Sequence, residues 1–296
     1  MKVVSLFDGI SCAYVALQKA GVPITSYIAY EIDPYAIKVS KSNFPMIVQK
    51  GNVKDLKDKI DCDLLIGGSP CIDLSVAKQH RKGLAGDYSS LFWEYVRIKN
   101  LLAPKWFVLE NVASMKDCDK DTISKALGVE PILFDARLVS AQNRKRYFWT
   151  NIPFALPDDK HITFSQILQQ KVDDKYFISK TANLTTNEPF LLVSVIGRRL
   201  DKDGKRCDAD EAIEYQQRVA PKKDQTKCGT LTGVSKDNML YIHKRIRRLT
   251  PIECERLMGL ADDYTASICE TKRYKVIGNA FNCDVVAHIL KGLLGK

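Results

Sequence analysis

What this chain lacks narrows it first. Its nine cysteines, at positions 12, 62, 71, 118, 207, 228, 254, 269 and 283, form no CxxC pair, so a zinc site of the usual spacing is not indicated. No apolar run approaches the length of a membrane span, and Met1-Lys2-Val3-Val4 leads straight into a strand-like pattern, so no signal peptide is expected. Unclustered thiols in a chain without such a leader predict reduced cysteines and a cytoplasmic protein. Internal repeats and low-complexity tracts are absent. So are the three spaced glycines that let a pyrophosphate approach the backbone, which argues against a nicotinamide oxidoreductase.

What is present is ordinary in bulk and distinctive in detail. The 296 residues suffice for one large domain plus a smaller one, and 45% hydrophobic with 27% charged residues describes a soluble globular chain. The net charge of +10 favours a polyanionic partner through counterion release. Part of that charge is local: residues 198–248 hold 14 Lys/Arg against 8 Asp/Glu.

The first half alternates strand-like and helix-like stretches. Val3-Val4-Ser5-Leu6 precedes Phe7-Asp8-Gly9 and a helix over Cys12–Ala20, stopped by Gly21 and Pro23. Tyr27-Ile28-Ala29-Tyr30 ends in Glu31-Ile32-Asp33-Pro34, and a helix-like segment with Ala36, Ile37 and Val39 follows. Leu64-Leu65-Ile66 is a third strand, Leu91 to Leu102 an amphipathic helix, and Trp106-Phe107-Val108-Leu109 a fourth strand leading into Glu110-Asn111. This order predicts an α/β fold with a mostly parallel, doubly wound sheet. Asp8, Glu31, Cys71 and Glu110 each fall just after a strand, where open α/β sheets bind ligands. From about Leu156 to Tyr241 the pattern weakens into a polar stretch. Regular structure resumes at Thr250, the predicted N-cap, with Pro251 at the first helical position, Glu253 closing a capping box, and a last helix over Val285 to Leu294.

Three constellations carry chemistry. Leu64-Leu65-Ile66-Gly67-Gly68-Ser69-Pro70-Cys71 delivers one thiol at a sharp turn on the rim of the sheet. Such a thiol can be a nucleophile, although most free cysteines are small buried hydrophobes, and position alone leaves both readings open. Phe7-Asp8-Gly9 with Glu31, 23 residues after Asp8, has the layout of a nucleoside-cofactor site in which an acid takes ribose hydroxyls. A cofactor without a diphosphate fits that turn, S-adenosyl-L-methionine being the obvious candidate. In Gln142-Asn143-Arg144-Lys145-Arg146, strand alternation puts Gln142, Arg144 and Arg146 on one face. Two arginines there could clamp phosphates or fix a base, or belong to a solvated edge strand.

Taken in order, Phe7-Asp8-Gly9-Ile10-Ser11, Gly67-Gly68-Ser69-Pro70-Cys71, Glu110-Asn111-Val112, Gln142 to Arg146, Arg248-Leu249-Thr250-Pro251-Ile252-Glu253-Cys254-Glu255 and Gly278-Asn279-Ala280 resemble the DNA (cytosine-5) methyltransferases. Length and the C-terminal third are similar to phage and bacterial members. Ser69-Pro70-Cys71 with Asp73-Leu74-Ser75 and Arg81-Lys82-Gly83-Leu84 looks like the animal de novo enzymes. The resemblance implies a Rossmann-like S-adenosylmethionine-dependent methyltransferase domain of residues 1–155 and 245–296, and a small, irregular target-recognition domain of residues 156–244. It implies cofactor contacts from Phe7, Asp8, Gly9, Ile10, Ser11, Glu31, Ile32, Asn52, Val53, Ser69, Pro70, Asn279 and Ala280. The C-terminal segment should return to the first domain and set Asn279 beside the Asp8-Gly9 turn.

The same resemblance assigns the reaction. Cys71 adds to C6 of a flipped-out cytosine, Glu110 serves N3 and the exocyclic amine, Arg144 holds the base carbonyl and Arg146 orders its neighbours. Double-stranded DNA is the expected partner, with no membrane, no metal and a monomeric enzyme. DNA contacts fall on Ser75, Val76, Arg81 and Lys82 of the long loop after Cys71, on Arg198 and Arg199, and on Thr230 and Leu231. Four residues depart from the family pattern: Ser11 for the usual glycine, Ile72 after the cysteine, Asn52 for an aspartate expected to hold the adenine amine, and Phe281 after Gly278-Asn279-Ala280. Two other readings stay open. One is a tRNA cytosine-5 methyltransferase, whose Cys-Phe-Thr signature is absent; the other is an inactive DNA-binding regulator of the same fold.

Overall fold

The computed structural model describes residues 1–70, 73–74, 83–86, 89–181, 184, 186, 188–199, 203, 215–232 and 238–295, with backbone alone for 179–181, 196–199 and 215–218. Cys71, Ile72, Ser75, Val76, Arg81 and Lys82 therefore lie outside the described residues, as do the side chains of Arg198 and Arg199.

The first sheet contains seven strands: β1 (Lys2–Leu6), β2 (Ser26–Tyr30), β3 (Val48–Gln49), β4 (Leu64–Gly67), β5 (Trp106–Val112), β6 (Ile132–Asp135) and β7 (Lys145–Thr150). Their order is β3-β2-β1-β4-β5-β7-β6. The pairs from β3 through β5 are parallel, whereas β7 runs antiparallel to both β5 and β6. The near-continuous apolar run of β1 is what a strand covered on both faces requires. Val3 packs with Leu64, Ile66 and Val108 in one apolar cluster, while Val4 and Leu6 pack with Leu65 and Leu109 in another.

Helices cover both faces. α1 (Cys12–Ala20) has the bounds its sequence predicts, and Gly21 ends it with φ 76°, in the left-handed region that favours glycine. α2 (Pro34–Asn43) starts on Asp33, whose side chain accepts from Tyr35 N. α3 (Phe92–Leu102) and α4 (Asp117–Leu127) lead into β5 and β6. α5 (Pro251–Leu257) carries both bonds of the expected Thr250–Glu253 capping box, a cap of about 1 kcal/mol. α6 (Glu270–Asn279) and α7 (Cys283–Leu290) close the chain, α7 packing on α1.

The stretch whose pattern weakens in the sequence holds a five-stranded antiparallel sheet of β8 (Phe177–Thr181), β9 (Leu191–Arg199), β10 (Tyr215–Pro221), β11 (Met239–Ile242) and β12 (Arg245–Arg248), ordered β10-β9-β11-β12-β8. Its own core is small, centred on Val193, Val195, Met239, Tyr241 and Ile246. β12 lies wholly beyond the edge expected at residue 244. Arg247 in β12 makes two 2.8 Å bonds to the fully buried Glu253 of α5, so this strand is tied to the helix that follows it.

Candidate active site

A cavity of ≈ 250 Å³ lies at the carboxyl ends of the parallel strands. Of the expected residues, Phe7, Asp8, Gly9, Glu31, Ser69, Pro70, Glu110, Arg144, Arg146, Asn279 and Ala280 line it. The C-terminal end of α6 thus stands beside the first turn, as the sequence predicts.

The end nearest β1 is built from backbone. Phe7, Gly9 and Ser11 adopt φ of 56°, 60° and 61°, a left-handed winding that turns the chain sharply after β1. Glu31 fixes this turn: its Oε2 accepts from Gly9 N at 2.8 Å, and its Oε1 accepts from Ile32 N and Asp33 N, both at 2.7 Å. Lone pairs on that carboxylate remain for hydroxyls entering the cavity.

The left-handed φ of Ser11 explains why glycine suits this position. Its hydroxyl offsets the strain by donating to Asp8 Oδ2 at 2.5 Å and lying 2.6 Å from Ser40 Oγ. Tyr27 OH donates to the other Asp8 oxygen at 2.6 Å. The Asp8 carboxylate is therefore spent beneath the turn, and burial pushes its pKa up to about 6.

Several expected cofactor residues fall elsewhere. Ile10 is wholly buried in the core, and Val53 packs in the second apolar cluster. Asn52 caps a single helical turn, its Oδ1 accepting from Lys54 N at 3.0 Å. Ile32 is 69% exposed and does not line the cavity.

At the far end, Glu110 lies inside β5 and not after it. β4 stops at Gly67 opposite Leu109, while β7 continues the pairing at Glu110↔Phe148, so the strand persists on one side only. On the vacated side runs the Gly68-Ser69-Pro70 turn. The buried Asn111 holds it, donating from Nδ2 to Ser69 O at 3.2 Å and to Ser69 Oγ at 3.1 Å. Gly68 is there for close approach: a Cβ would stand 2.6 Å from the Phe281 ring and 3.2 Å from Glu110 Oε2. Phe281 is thus a wall of the cavity, a role its departure from the motif could only flag.

The two arginines divide their work differently from the sequence assignment. Arg146 Nε pairs with Glu110 Oε1 at 2.9 Å. The Arg144 guanidinium instead donates to three backbone carbonyls, of Leu231, Gly278 and Ala280. Both arginines line the cavity, as strand alternation implies, but their partners differ. Thr230 Oγ1 donates to Asn143 O at 2.8 Å, and Leu231 is buried, so this pair packs against the arginine segment.

Four other thiols are kept protonated by burial. Burial pushes Cys62 and Cys228 up to about 12, and Cys254 and Cys283 well above the usual thiol range. Among the described residues no group of three His, Cys, Asp or Glu could hold a metal ion, and no helix is long and apolar enough to cross a membrane.

The geometry therefore joins an amide-held acid, a sharp glycine turn and an acid–guanidinium pair in one cavity. The C-5 cytosine-specific DNA methylase family matches residues 1–295. The orphan methyltransferase M.SPRI of Bacillus phage SPR is 35% identical over 428 aligned positions, spanning 99% of this chain and 97% of the phage protein. The type II methyltransferase M1.ScrFI of Lactococcus lactis subsp. cremoris is 28% identical, over 99% of this chain and 78% of its own. Among solved structures, the Entamoeba histolytica methyltransferase EhMeth shares the fold, with a TM-score of 0.66 at 17% identity over 100% of this chain and 98% of that one. The chain belongs to the family of C-5 cytosine-specific DNA methylases.

Proposed function

We propose that the cavity binds S-adenosyl-L-methionine at its Glu31 end and a cytosine flipped out of double-stranded DNA at its Glu110 end, with Cys71 as the nucleophile. The single observation that carries this reading is the continuity of one cavity from Glu31 to the Glu110–Arg146 pair, past the Ser69-Pro70 turn that leads to Cys71. The Glu31 end fits a nucleoside: it offers a fixed carboxylate for a ribose diol and lacks the glycine-rich cradle a diphosphate needs. When bound, the cofactor supplies an electrophilic methyl group on sulfonium.

The chain's own residues do the rest. Cytosine C5 is a poor nucleophile, and the Cys71 thiolate corrects this by bonding to C6 and releasing the electron pair of the 5,6 double bond toward C5. Glu110 faces N3 and the exocyclic amine, and Arg146, fixed beside it, takes the base carbonyl. Together they hold the charge that develops in the ring. After C5 takes the methyl group, a base removes the C5 proton, the double bond re-forms and the Cys71 thiolate leaves. A cytosine reaches this depth only outside the stack, at a cost of a few kcal/mol. Asn279 and Ala280 wall the cofactor side, and Arg198 and Arg199 of the second sheet serve as phosphate contacts in a recognition region of residues 156–244. The enzyme works in the cytoplasm.

The test is a duplex carrying 5-fluorocytosine, whose C5 fluorine blocks the last elimination. Incubation with S-adenosylmethionine is expected to give an adduct stable to denaturation, lost in Cys71→Ser while duplex binding persists. Bisulfite sequencing of DNA from expressing cells supplies the methylated sequence for that duplex. Methylation of tRNA with none of duplex DNA would overturn the reading.

A further inference from the structure

Arg144 and Arg146 are two residues apart and serve different masters. Arg146 turns to Glu110. Arg144 is only 4% exposed; its Nη1 donates to Leu231 O at 3.3 Å, and its Nη2 donates to Gly278 O at 3.4 Å and Ala280 O at 2.8 Å. Leu231 belongs to the segment that follows β10, on the recognition side. Gly278 and Ala280 belong to the end of α6 that walls the cavity. These acceptors lie 87 and 136 residues from Arg144 at the two extremes, so one guanidinium spans parts of the chain with no sequence proximity.

We propose that Arg144 is a positioning residue that couples DNA engagement on the recognition side to the affinity of the cofactor wall. This rests on the function proposed above. The Leu231 segment is bonded to the residue that precedes the arginine: Asn143 N donates to Cys228 O at 2.7 Å, and Thr230 Oγ1 donates to Asn143 O. A displacement of that segment by bound DNA is therefore felt where Arg144 meets Gly278 and Ala280. A planar fork can serve carbonyls on both sides at once, and a lysine ammonium on its single stem cannot keep both at these distances. The bonds to Leu231 O and Ala280 O are buried, so losing this donor leaves those two carbonyls to find another partner.

The test is the affinity for S-adenosylhomocysteine with and without duplex DNA. The duplex carries the methylated sequence with an abasic site at the target, so that no base enters the cavity. In the wild-type enzyme this DNA is expected to tighten the nucleoside by about tenfold, and in Arg144→Lys the factor is expected to fall below about threefold. DNA affinity gains the same factor from the nucleoside, by reciprocity. Asn238→Ala is the control. It removes the bond from Asn238 Nδ2 to Thr230 O at 3.0 Å on the same segment without touching Gly278 or Ala280, and it should keep the coupling.

Coupling that survives in Arg144→Lys, or that is lost equally in Asn238→Ala, overturns the proposal. So does a wild-type enzyme that binds the duplex without tightening the nucleoside. A wild-type enzyme that binds no duplex at all overturns the proposed function instead. Should Arg144→Lys fail to fold, hydrogen exchange on the wild-type enzyme decides: the abasic duplex must slow exchange at amides 278–282, and unchanged rates there refute the link.

Discussion

Glu31 and Glu110, at the two ends of the cavity, are held in opposite ways. Glu31 is fixed by three backbone amides, and Glu110 by one side chain, Arg146. Amides positioned by a turn cannot be withdrawn without unmaking the turn, so the Glu31 end presents the same face throughout a reaction cycle. A guanidinium on a long side chain can shift its bonds as charge moves. The first arrangement suits a group that is merely held, and the second suits a ring whose charge changes. The largest effect is therefore expected at the second. Glu110→Gln should lower kcat by about 10²–10⁴-fold and leave the affinity of the free enzyme for S-adenosylhomocysteine within about twofold, as single-turnover kinetics and calorimetry would read. A large loss of nucleoside affinity instead would mean that the two ends are not separate.

The converse substitution probes the other acid. Glu31→Ala takes the acceptor from the Gly9, Ile32 and Asp33 amides and, on the proposed function, the partner from the ribose. Ile32 is solvent-exposed, so water replaces part of the loss. The expected cost to nucleoside binding is about 2 kcal/mol, roughly thirtyfold. At saturating cofactor kcat should stay within about threefold. An effect on kcat that saturation does not repair would erase the distinction between a holding acid and a reacting one.

How much of this was legible depended on whether the signal was local. The limits of α1 follow from Gly21, the start of α5 from Thr250, Pro251 and Glu253, and the cavity's place from polar residues after apolar runs. The persistence of β5 through Glu110 was not legible, because it depends on β7, a strand far along the chain that outlasts β4 at the same register. The second sheet was hidden for a different reason. Arg245-Ile246-Arg247-Arg248 offers one apolar side chain to a small core, too few for a period-two pattern to emerge. Alternation placed Arg144 and Arg146 on one face, but the three carbonyls that claim Arg144 come from segments that only the tertiary fold brings near it. Ser11 shows the reverse case: the residue departs from glycine, and its reason is the acid three positions earlier that its hydroxyl satisfies.

Asp8 sharpens the comparison by the smallest expected effect. It is an acid held by side chains, as Glu110 is, yet buried beneath the amide-held end. Burial and, least of the causes, the charge of Glu31 push its pKa up to about 6, against the hydrogen bonds from Ser11 and Tyr27 that pull it down. The sign follows from proton counting. Between the ordinary value of 3.8 and about 6 the folded chain binds this proton and the unfolded chain does not, so stability falls as pH rises through that window. Above pH 6 the full cost of the buried charge is present, about 3 kcal/mol from a shift of this size. Asp8→Asn removes the titration. Its melting temperature relative to wild type should therefore climb by about 3 °C between pH 4.5 and 7.5, and a flat difference would mean that Asp8 is not ionising inside the fold. Because Glu31 contributes to the shift, Glu31→Ala should move the midpoint of the wild-type dependence to lower pH. An unmoved midpoint would show that the amide-held carboxylate is electrostatically silent toward the acid beneath it, leaving burial alone to set the Asp8 titration.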